Sequence, residues 1–317
     1  MSMSEHQQAE SKFRLVTRSD FDGLVCAVLL KKLNLIDEIV FVHPKDMQDG
    51  KVTTTERDIV TNLPYVANAH LIFDHHLSET IRNQGERPNH IIDPNAPSAA
   101  HVVWQYYGGL DTFPSQWQEM LIAVDKGDSA QFTRDEVLDS AGWNLLNFLM
   151  DARTGLGRFH EFRISNYQLM MDLIDYCANH SIAEILALPD VQERVTLYRE
   201  HEILSKQQIQ RCAKVYKNLV ILDLTGEEII YAGNRFIIYA LFPQCNISIH
   251  KMWGFQKQNI VFATGKSIFD RGSKTNVGGL MLKYGGGGHQ AAGTCQIALE
   301  MAEQVEKELI SQITTDG

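Results

Sequence analysis

Apolar runs that end abruptly at charged residues set the rhythm of the first half of the chain. Residues 13–17 are apolar enough for a buried strand and give way to Ser19-Asp20-Phe21-Asp22-Gly23. The stretch Leu24, Val25, Ala27, Val28, Leu29, Leu30 then reads as a helix. Residues 38–43 form a second predicted strand, and a loop with Pro44, Asp46, Asp49 and Gly50 leads to a third short strand within residues 58–62. Leu71, Ile72 and Phe73 run straight into Asp74-His75-His76. Strand, helix, strand, strand, strand in this order predicts a doubly wound, mostly parallel sheet. Ser98 caps a helix expected from residue 99 to about 107. An amphipathic helix from Ser115 (Trp117, Met120, Leu121, Ala123, Val124) is expected to release Asp125-Lys126-Gly127-Asp128-Ser129 at its exit. Ser165 and Ser181 open two more helices, the second with Glu184 completing a capping box.

From Pro189 a polar helical pattern continues without a breaker to about Val215, roughly 37 Å at 1.5 Å per residue, which suits a helix joining two domains. Beyond it the pattern changes to α+β. Strand-like runs occupy residues 219–224, 236–242, 247–253 and 260–264, and residues 265–273 form a loop. A short helix over residues 277–284 meets Gly285-Gly286-Gly287-Gly288-His289, and a small-residue strand over 291–295 follows. The organisation read from this pattern is a disordered leader over residues 1–12, an α/β domain over 13–189, a linker helix over 190–217 and a smaller α+β domain over 218–317.

A formal charge of -10 and a pI near 5.6 argue against coating long duplex DNA, because neutralising many phosphates takes a net basic face. The five cysteines are an odd number, widely spaced and without a CxxC pair, which reads as reduced thiols in a cytoplasmic protein. No apolar run approaches a membrane span, and the polar start has no export signal.

The candidate chemistry sits at the strand ends. A carboxylate and two imidazoles after residues 71–73 suit a divalent ion, and residues at the carboxyl end of a parallel strand face the crevice where such sheets bind ligands. Asp20 and Asp22, at i and i+2, can each face a cation; a helix cap accounts for one of them. Ser98 with the amides behind it offers either an anion contact or a cap. Arg153, Arg158 and Arg163 concentrate guanidinium groups that match phosphate oxygens, or else pair with nearby Asp151 and Glu161. Four consecutive glycines are entropically unfavourable, so a close backbone approach is expected there, with an anion-binding nest of amides to which His289 adds a donor.

Taken in order, Asp20-Phe21-Asp22-Gly23, Asp74-His75-His76, an acidic turn near Asp128 and the run from Gly285 to His289 with Ala291-Ala292-Gly293 resemble the DHH/DHHA1 phosphoesterase family, within it most of all a branch labelled exopolyphosphatase-related. The resemblance spans nearly the whole chain from Phe13. It implies an N-terminal sheet domain holding Mn2+, with Mg2+ or Co2+ as substitutes, a C-terminal domain gripping substrate, and a cleft between them. By position, Asp22, His75 and a later aspartate match the ligands of one metal and Asp20 a ligand of the other; the later aspartate is Asp125 or Asp128, with Asp128 favoured. Asp74 resembles the carboxylate that orients a neighbouring imidazole, and His76 the histidine that faces the phosphate or helps the leaving oxygen. Arg271, Ser273, Gly286, Gly287, Gly288 and His289 match the substrate grip, to which Arg153 and Arg158 are added as candidates.

Two positions depart from the family. Asn62 stands where a metal-bridging aspartate is usual, with Asp58 four residues earlier, and Arg18 stands near the place of a further ligand upstream of Asp20. These departures predict a strong metal position at Asp22, His75 and Asp128, and a second one weakened or replaced by Arg18. The expected activity is hydrolysis of phosphodiester bonds in short oligonucleotides or dinucleotides by metal-activated water. The alternatives are an exopolyphosphatase or a nucleotide-binding protein with a decayed metal centre. Phe269, Tyr284 and Trp253 are the stacking faces that a nucleotide would need and polyphosphate would not. The expected partner is a short nucleotide or polyphosphate, with no membrane or long duplex DNA and a homodimer left open.

Overall fold

The computed structural model of the chain describes residues 12–82, 85, 87–159 and 161–317. Of the expected leader, residues 1–11 lie outside the described residues. The helices are, in order, α1 (Phe21–Lys32), α2 (Pro44–Gln48), α3 (Leu77–Arg82), α4 (Ala99–Tyr106), α5 (Gln118–Ser129), α6 (Arg134–Leu138) and α7 (Gly142–Met150), then α8 (Asn166–Asn179), α9 (Ile182–Ala187), α10 (Pro189–Cys212), α11 (Ile237–Leu241), α12 (Val277–Leu282) and α13 (Leu299–Asp316). Among the described residues no helix is long and apolar enough to cross a membrane.

The chain divides into two compact units, the first comprising the chain through Gln131, Gly142–Asp151 and the segment ending at Gln192. Its sheet has β1 (Phe13–Arg18), β2 (Ile36–Val42), β3 (Asp58–Thr61), β4 (Leu71–Asp74) and β5 (His90–Ile92), all parallel, in the order β2-β1-β3-β4-β5. In that order the direction of winding reverses between β1 and β3, and the crevice at the carboxyl ends of the strands there is where such sheets bind ligands. One face packs Val16, Val42, Val60 and Ile72 on Met47 and Leu63. Beside β1, α1 is apolar almost throughout, and every residue from Phe21 to Leu30 is buried among α4, α5 and α8. The start of α1 lies so close to the end of β1 that a Cβ on Gly23 would stand 2.0 Å from the Arg18 carbonyl oxygen. The Thr61 hydroxyl donates to Thr17 Oγ1 at 2.7 Å and pins β1 to β3 one residue before Arg18 and Asn62.

The second unit holds Phe132–Ala141, Ala152–Phe159 and Glu193–Gly317. Its sheet runs β10 (Gly287–Gly288), β11 (Ala292–Ile297), β9 (Ile260–Lys266), β8 (Ile247–Trp253), β7 (Leu219–Asp223), β6 (Ala213–Tyr216), antiparallel except for the parallel pair β7 and β8. Its core joins Leu219, Ile221, Ile247, Ile249 and Phe262 to Val277, Leu280 and Met281 of α12 and to Val305, Leu309 and Ile313 of α13.

Several expectations need correction. The strand expected over residues 236–242 is the helix α11, because β7 and β8 are parallel and a parallel pair needs a crossover, which α11 occupies. The long helix ends at Cys212, and residues 213–216 turn back as β6 to cover the edge of β7. The units do not divide at residue 189: Phe132–Ala141 and Ala152–Phe159 pack with the second unit, where Arg134 donates to the Ala240 carbonyl and the Gly233 amide to that of Thr154. Asp125 and Asp128 lie within the final turns of α5, not beyond its exit. Several elements, among them α2, α3, α6, α7, β5 and α13, carry no counterpart in the expectations above.

Candidate metal centre

Three side chains predicted as ligands of one metal converge in the first unit. A carboxylate oxygen of Asp22, a ring nitrogen of His75 and a carboxylate oxygen of Asp128 all lie within 4.8 Å of one another. They come from the first turn of α1, the segment after β4 and the last turn of α5. His75 Nδ1 is 3.2 Å from the Ala96 carbonyl oxygen, to which it can only donate. That fixes the tautomer and leaves Nε2 as the donor to a metal, an arrangement usual for metal-binding histidines. His75 Nε2 is buried, has no aligned hydrogen-bond partner and lies 2.8 Å from Asp128 Oδ2. Asn62 Oδ1 and Asp74 Oδ2 are likewise buried without partners. Two carboxylates and an imidazole nitrogen that can give up its proton, with orphaned acceptors nearby, fit a divalent cation.

The electrostatics carry the strain of this crowding. Burial, and then the charge of Asp128, push the Asp22 carboxyl up to about 7, although the His75 charge and the Ala100 amide oppose this. Burial pulls His75 down, but contact with Asp128 and the charges of Asp22 and Asp74 outweigh it and raise the imidazole to about 9. Partial burial pushes the half-buried Asp128 up, yet the His75 contact holds its carboxyl below the ordinary range, and Arg18 adds to that effect. A dication would relieve the same repulsion that the protons relieve here.

Asp22 is held by the start of α4, where the amides of Ala99 and Ala100 donate to its two oxygens at 3.0 and 2.7 Å. Ser98 is the N-cap of that helix and accepts from the His101 amide at 3.0 Å. Of the two options for Ser98 the structure takes capping, and the amides behind it bind a carboxylate of the chain itself. Asp125 stands apart from the triad, because its oxygens accept from Ser98 Oγ at 2.7 Å and face His101 Nδ1 at 2.8 Å. His101 was not among the candidates, and no motif pointed to it.

Asp74, fully buried at the end of β4, accepts from the His75 amide at 2.8 Å and faces His76 Nδ1 at 2.7 Å. This orients the His76 ring with Nε2 outward, its side chain 35% exposed. Burial lowers the His76 pKa, but the Asp74 contact prevails and raises it.

Asp20 is not brought into the triad. It caps α1 by accepting from the Gly23 amide at 3.0 Å, accepts from Asn62 Nδ2 at 3.3 Å and pairs with Arg18 Nε at 2.9 Å. A carboxylate engaged by three donors, one of them a guanidinium, is a poor ligand for a second cation. Asn62 occupies the left-handed region with φ 54°, which turns its amide toward Asp20. Asp58 does not fold into the site: it lies at the opposite end of β3, paired with Arg14 at 2.7 Å.

The second unit carries the remaining candidates. Arg271 is exposed and Ser273 is buried with an unpartnered hydroxyl; both lie in the loop after β9. The Lys266 amide donates to the Ala291 carbonyl, which sets this loop beside the turn after β10. The glycine run is no open nest. The Gly285, Gly286 and His289 amides donate to the carbonyls of Leu282, Met281 and Ala292, and Gly287 and Gly288 pair with β11. Close packing accounts for the run, since a Cβ on Gly286 would stand 2.0 Å from the Thr294 carbonyl oxygen. Arg158 donates to the Ile230 carbonyl and Arg163 pairs with Asp190, so both guanidinium groups are engaged within the fold. Arg153, on the same stretch as Arg158, is also engaged. Trp253 Nε1 donates to the Thr225 carbonyl and Tyr284 Oη to Glu308, whereas Phe269 is 37% exposed beside Arg271.

No protein-family model and no curated protein matches the chain. Among solved structures, the chain is similar to a pGpG-specific phosphodiesterase, PggH from Vibrio cholerae, at 77% identity over 96% of this chain and 100% of that one, with a TM-score of 0.88. It also shares a fold with RecJ from Thermus thermophilus in complex with Mn2+, at 13% identity over 96% of this chain and 52% of that one, with a TM-score of 0.54.

Proposed function

The chain belongs to the DHH/DHHA1 phosphoesterase family, and from that premise we propose that it is a Mn2+-dependent phosphodiesterase hydrolysing short linear dinucleotides of the pGpG kind. The observation that carries the reading is an intact ligand triad, Asp22, His75 and Asp128, in a chain 77% identical to an enzyme of that specificity. The five unpaired thiols support a cytoplasmic setting.

Asp22, His75 and Asp128 would hold the metal, which would draw charge from the phosphoryl oxygens and lower the pKa of a water toward neutrality. Arg18, fixed by Asp20, is a second positive charge that needs no metal; it contacts the phosphate and stabilises the charge that develops there. His76 presents Nε2 outward and donates a proton to the leaving oxygen, and Asp74 keeps the ring in the tautomer and orientation for this. In the second unit, the exposed side chains of Arg271 and His289 are the groups offered to the nucleotide, with Phe269 as the stacking face. The polyphosphate reading loses its support, because Arg158 and Arg163 are tied within the fold.

The test is product analysis after incubation with Mn2+ and, in turn, pGpG, a short linear RNA, a cyclic dinucleotide and polyphosphate. Mononucleotide release from pGpG that vanishes in His75→Ala is the expected outcome. Phosphate from polyphosphate alone, or no turnover of any of the four, overturns the reading.

A further inference from the structure

We infer that Asp125 is a positioning residue that sets the distance between the ligands Asp22 and Asp128 by clamping the start of α4 to α5. The inference rests on the reading of Asp22, His75 and Asp128 as the metal ligands.

Asp125 and Asp128 share one face of α5, three residues apart. A carboxylate near the negative end of a helix is disfavoured there by the helix dipole, so two on one face call for compensation. For Asp125 it comes from the first turn of α4: Ser98 Oγ donates to Oδ1 at 2.7 Å, and His101 Nδ1 faces Oδ2 at 2.8 Å. The Ser98 hydroxyl in turn accepts from the His101 amide, so the clamp and the helix cap are one network. Ser98 is fully buried, which fixes its rotamer.

The next two residues of the chain do the second half of the work. Ala99 and Ala100 have amides that no i−4 carbonyl within the helix can satisfy, and both donate to Asp22. The start of α4 therefore bridges α5 on one side and α1 on the other. Asp22 reaches the site from α1 and Asp128 from α5, so the bridge fixes one ligand against the other. Without Asp125 the cap would lose its anchor on α5, and Asp22 would be held only by a helix end free to shift.

The test compares Asp125→Ala, Asp125→Asn and Ser98→Ala with wild type by Mn2+ titration, monitored by the electron paramagnetic resonance of free Mn2+, with no nucleotide present. Folding is checked by circular dichroism, and Tm is measured without metal. Asp125→Ala is expected to weaken Mn2+ binding about 10- to 100-fold, the usual effect of removing a group that orients a metal ligand. Asp125→Asn keeps an acceptor for Ser98 and a donor that can meet the alternative tautomer of His101, so it is expected to stay within about threefold of wild type. Ser98→Ala removes one arm of the clamp and is expected to weaken binding roughly tenfold; it serves as the test if Asp125→Ala does not fold. A merely structural Asp125 would lower the metal-free Tm and leave the affinity of the folded variant unchanged, which overturns the inference. Equal losses in Asp125→Ala and Asp125→Asn would mean that charge rather than position matters, and would overturn it too. Failure of the phosphodiesterase reading would look different: wild type would bind Mn2+ tightly and leave pGpG intact.

Discussion

Protons and metal compete for the same atoms at the triad, so Mn2+ affinity is expected to rise steeply with pH. Asp22 titrates at about 7 and His75 at about 9. A dication takes the carboxylate anion and the neutral imidazole, so each proton held by these groups must leave when the metal enters. At pH 6 both groups are protonated and binding releases about two protons; at pH 8 Asp22 has already ionised and binding releases about one. Integrating this release from pH 6 to pH 8 gives an affinity gain of roughly two to three powers of ten, or about 3–4 kcal/mol at 1.36 kcal/mol per decade. Ordinary carboxylate and imidazole pKa values would predict far less, since both groups would be largely unprotonated by pH 7. The assay is the Mn2+ resonance titration at pH 6, 7 and 8 in buffers that do not bind the metal, with His75→Ala in parallel. The variant should bind weakly and with a shallower pH dependence. Wild-type affinities within threefold of one another at pH 6 and pH 8 would refute the argument that burial and the Asp128 charge keep Asp22 protonated while the neighbouring carboxylates keep His75 protonated.

Three further outcomes follow from the same geometry. His76→Ala is expected to lower kcat about 10²- to 10⁴-fold, the usual range for a lost general acid, with Mn2+ affinity little changed; unchanged kcat in steady-state assays of pGpG cleavage would remove His76 from the chemistry. Arg18→Ala should lower kcat/KM about 10²- to 10³-fold, and Arg18→Lys should recover part of it; a variant as active as wild type would show that this cation does not touch the reacting phosphate. In the second unit, a Cβ on Gly278 would stand 2.6 Å from the Gly288 carbonyl oxygen and 2.9 Å from that of His289. Gly278→Ala should therefore cost about 1–3 kcal/mol of stability by calorimetry, and a wild-type transition would contradict the packing account of the glycine run.

The pattern of the chain revealed the parallel sheet because its strands are short apolar runs ending at polar residues, and the same stops exposed Asp22, Asp74, His75 and His76. It failed where apolar content alone had to choose between strand and helix. Residues 237–241, IIYAL, are apolar enough for either, and what decides is the parallel pairing of β7 with β8, a relation between segments far apart in sequence. The division between units was illegible for a related reason: Phe132–Ala141 and Ala152–Phe159 leave the first unit and return to it, and local composition does not register such an excursion. The glycine run suggested open amides, but which carbonyls take up those amides depends on α12 and β11.

The site shows the same division between what residue identity fixes and what tertiary placement fixes. Asn62 and Arg18 look in sequence like two separate departures from the family, each tending to weaken a metal position. In the fold they answer one another through Asp20, which accepts from the Asn62 amide and pairs with the Arg18 guanidinium. An aspartate at position 62 would set a buried carboxylate against the half-buried Asp20 and need a cation between them. With an amide there, Asp20 can be neutralised by Arg18 alone, and that pair places a permanent positive charge near Asp128. On the proposed reading the two substitutions form one electrostatic unit, in which a guanidinium carried by the chain would take the role of a dication drawn from solution. Asn62→Asp on its own should then create competition for Asp20 rather than a gain of function: Mn2+ binding to a second position would appear only when Arg18 is also replaced by an uncharged residue. Two tight Mn2+ ions in the single variant Asn62→Asp would break the coupling on which this account depends.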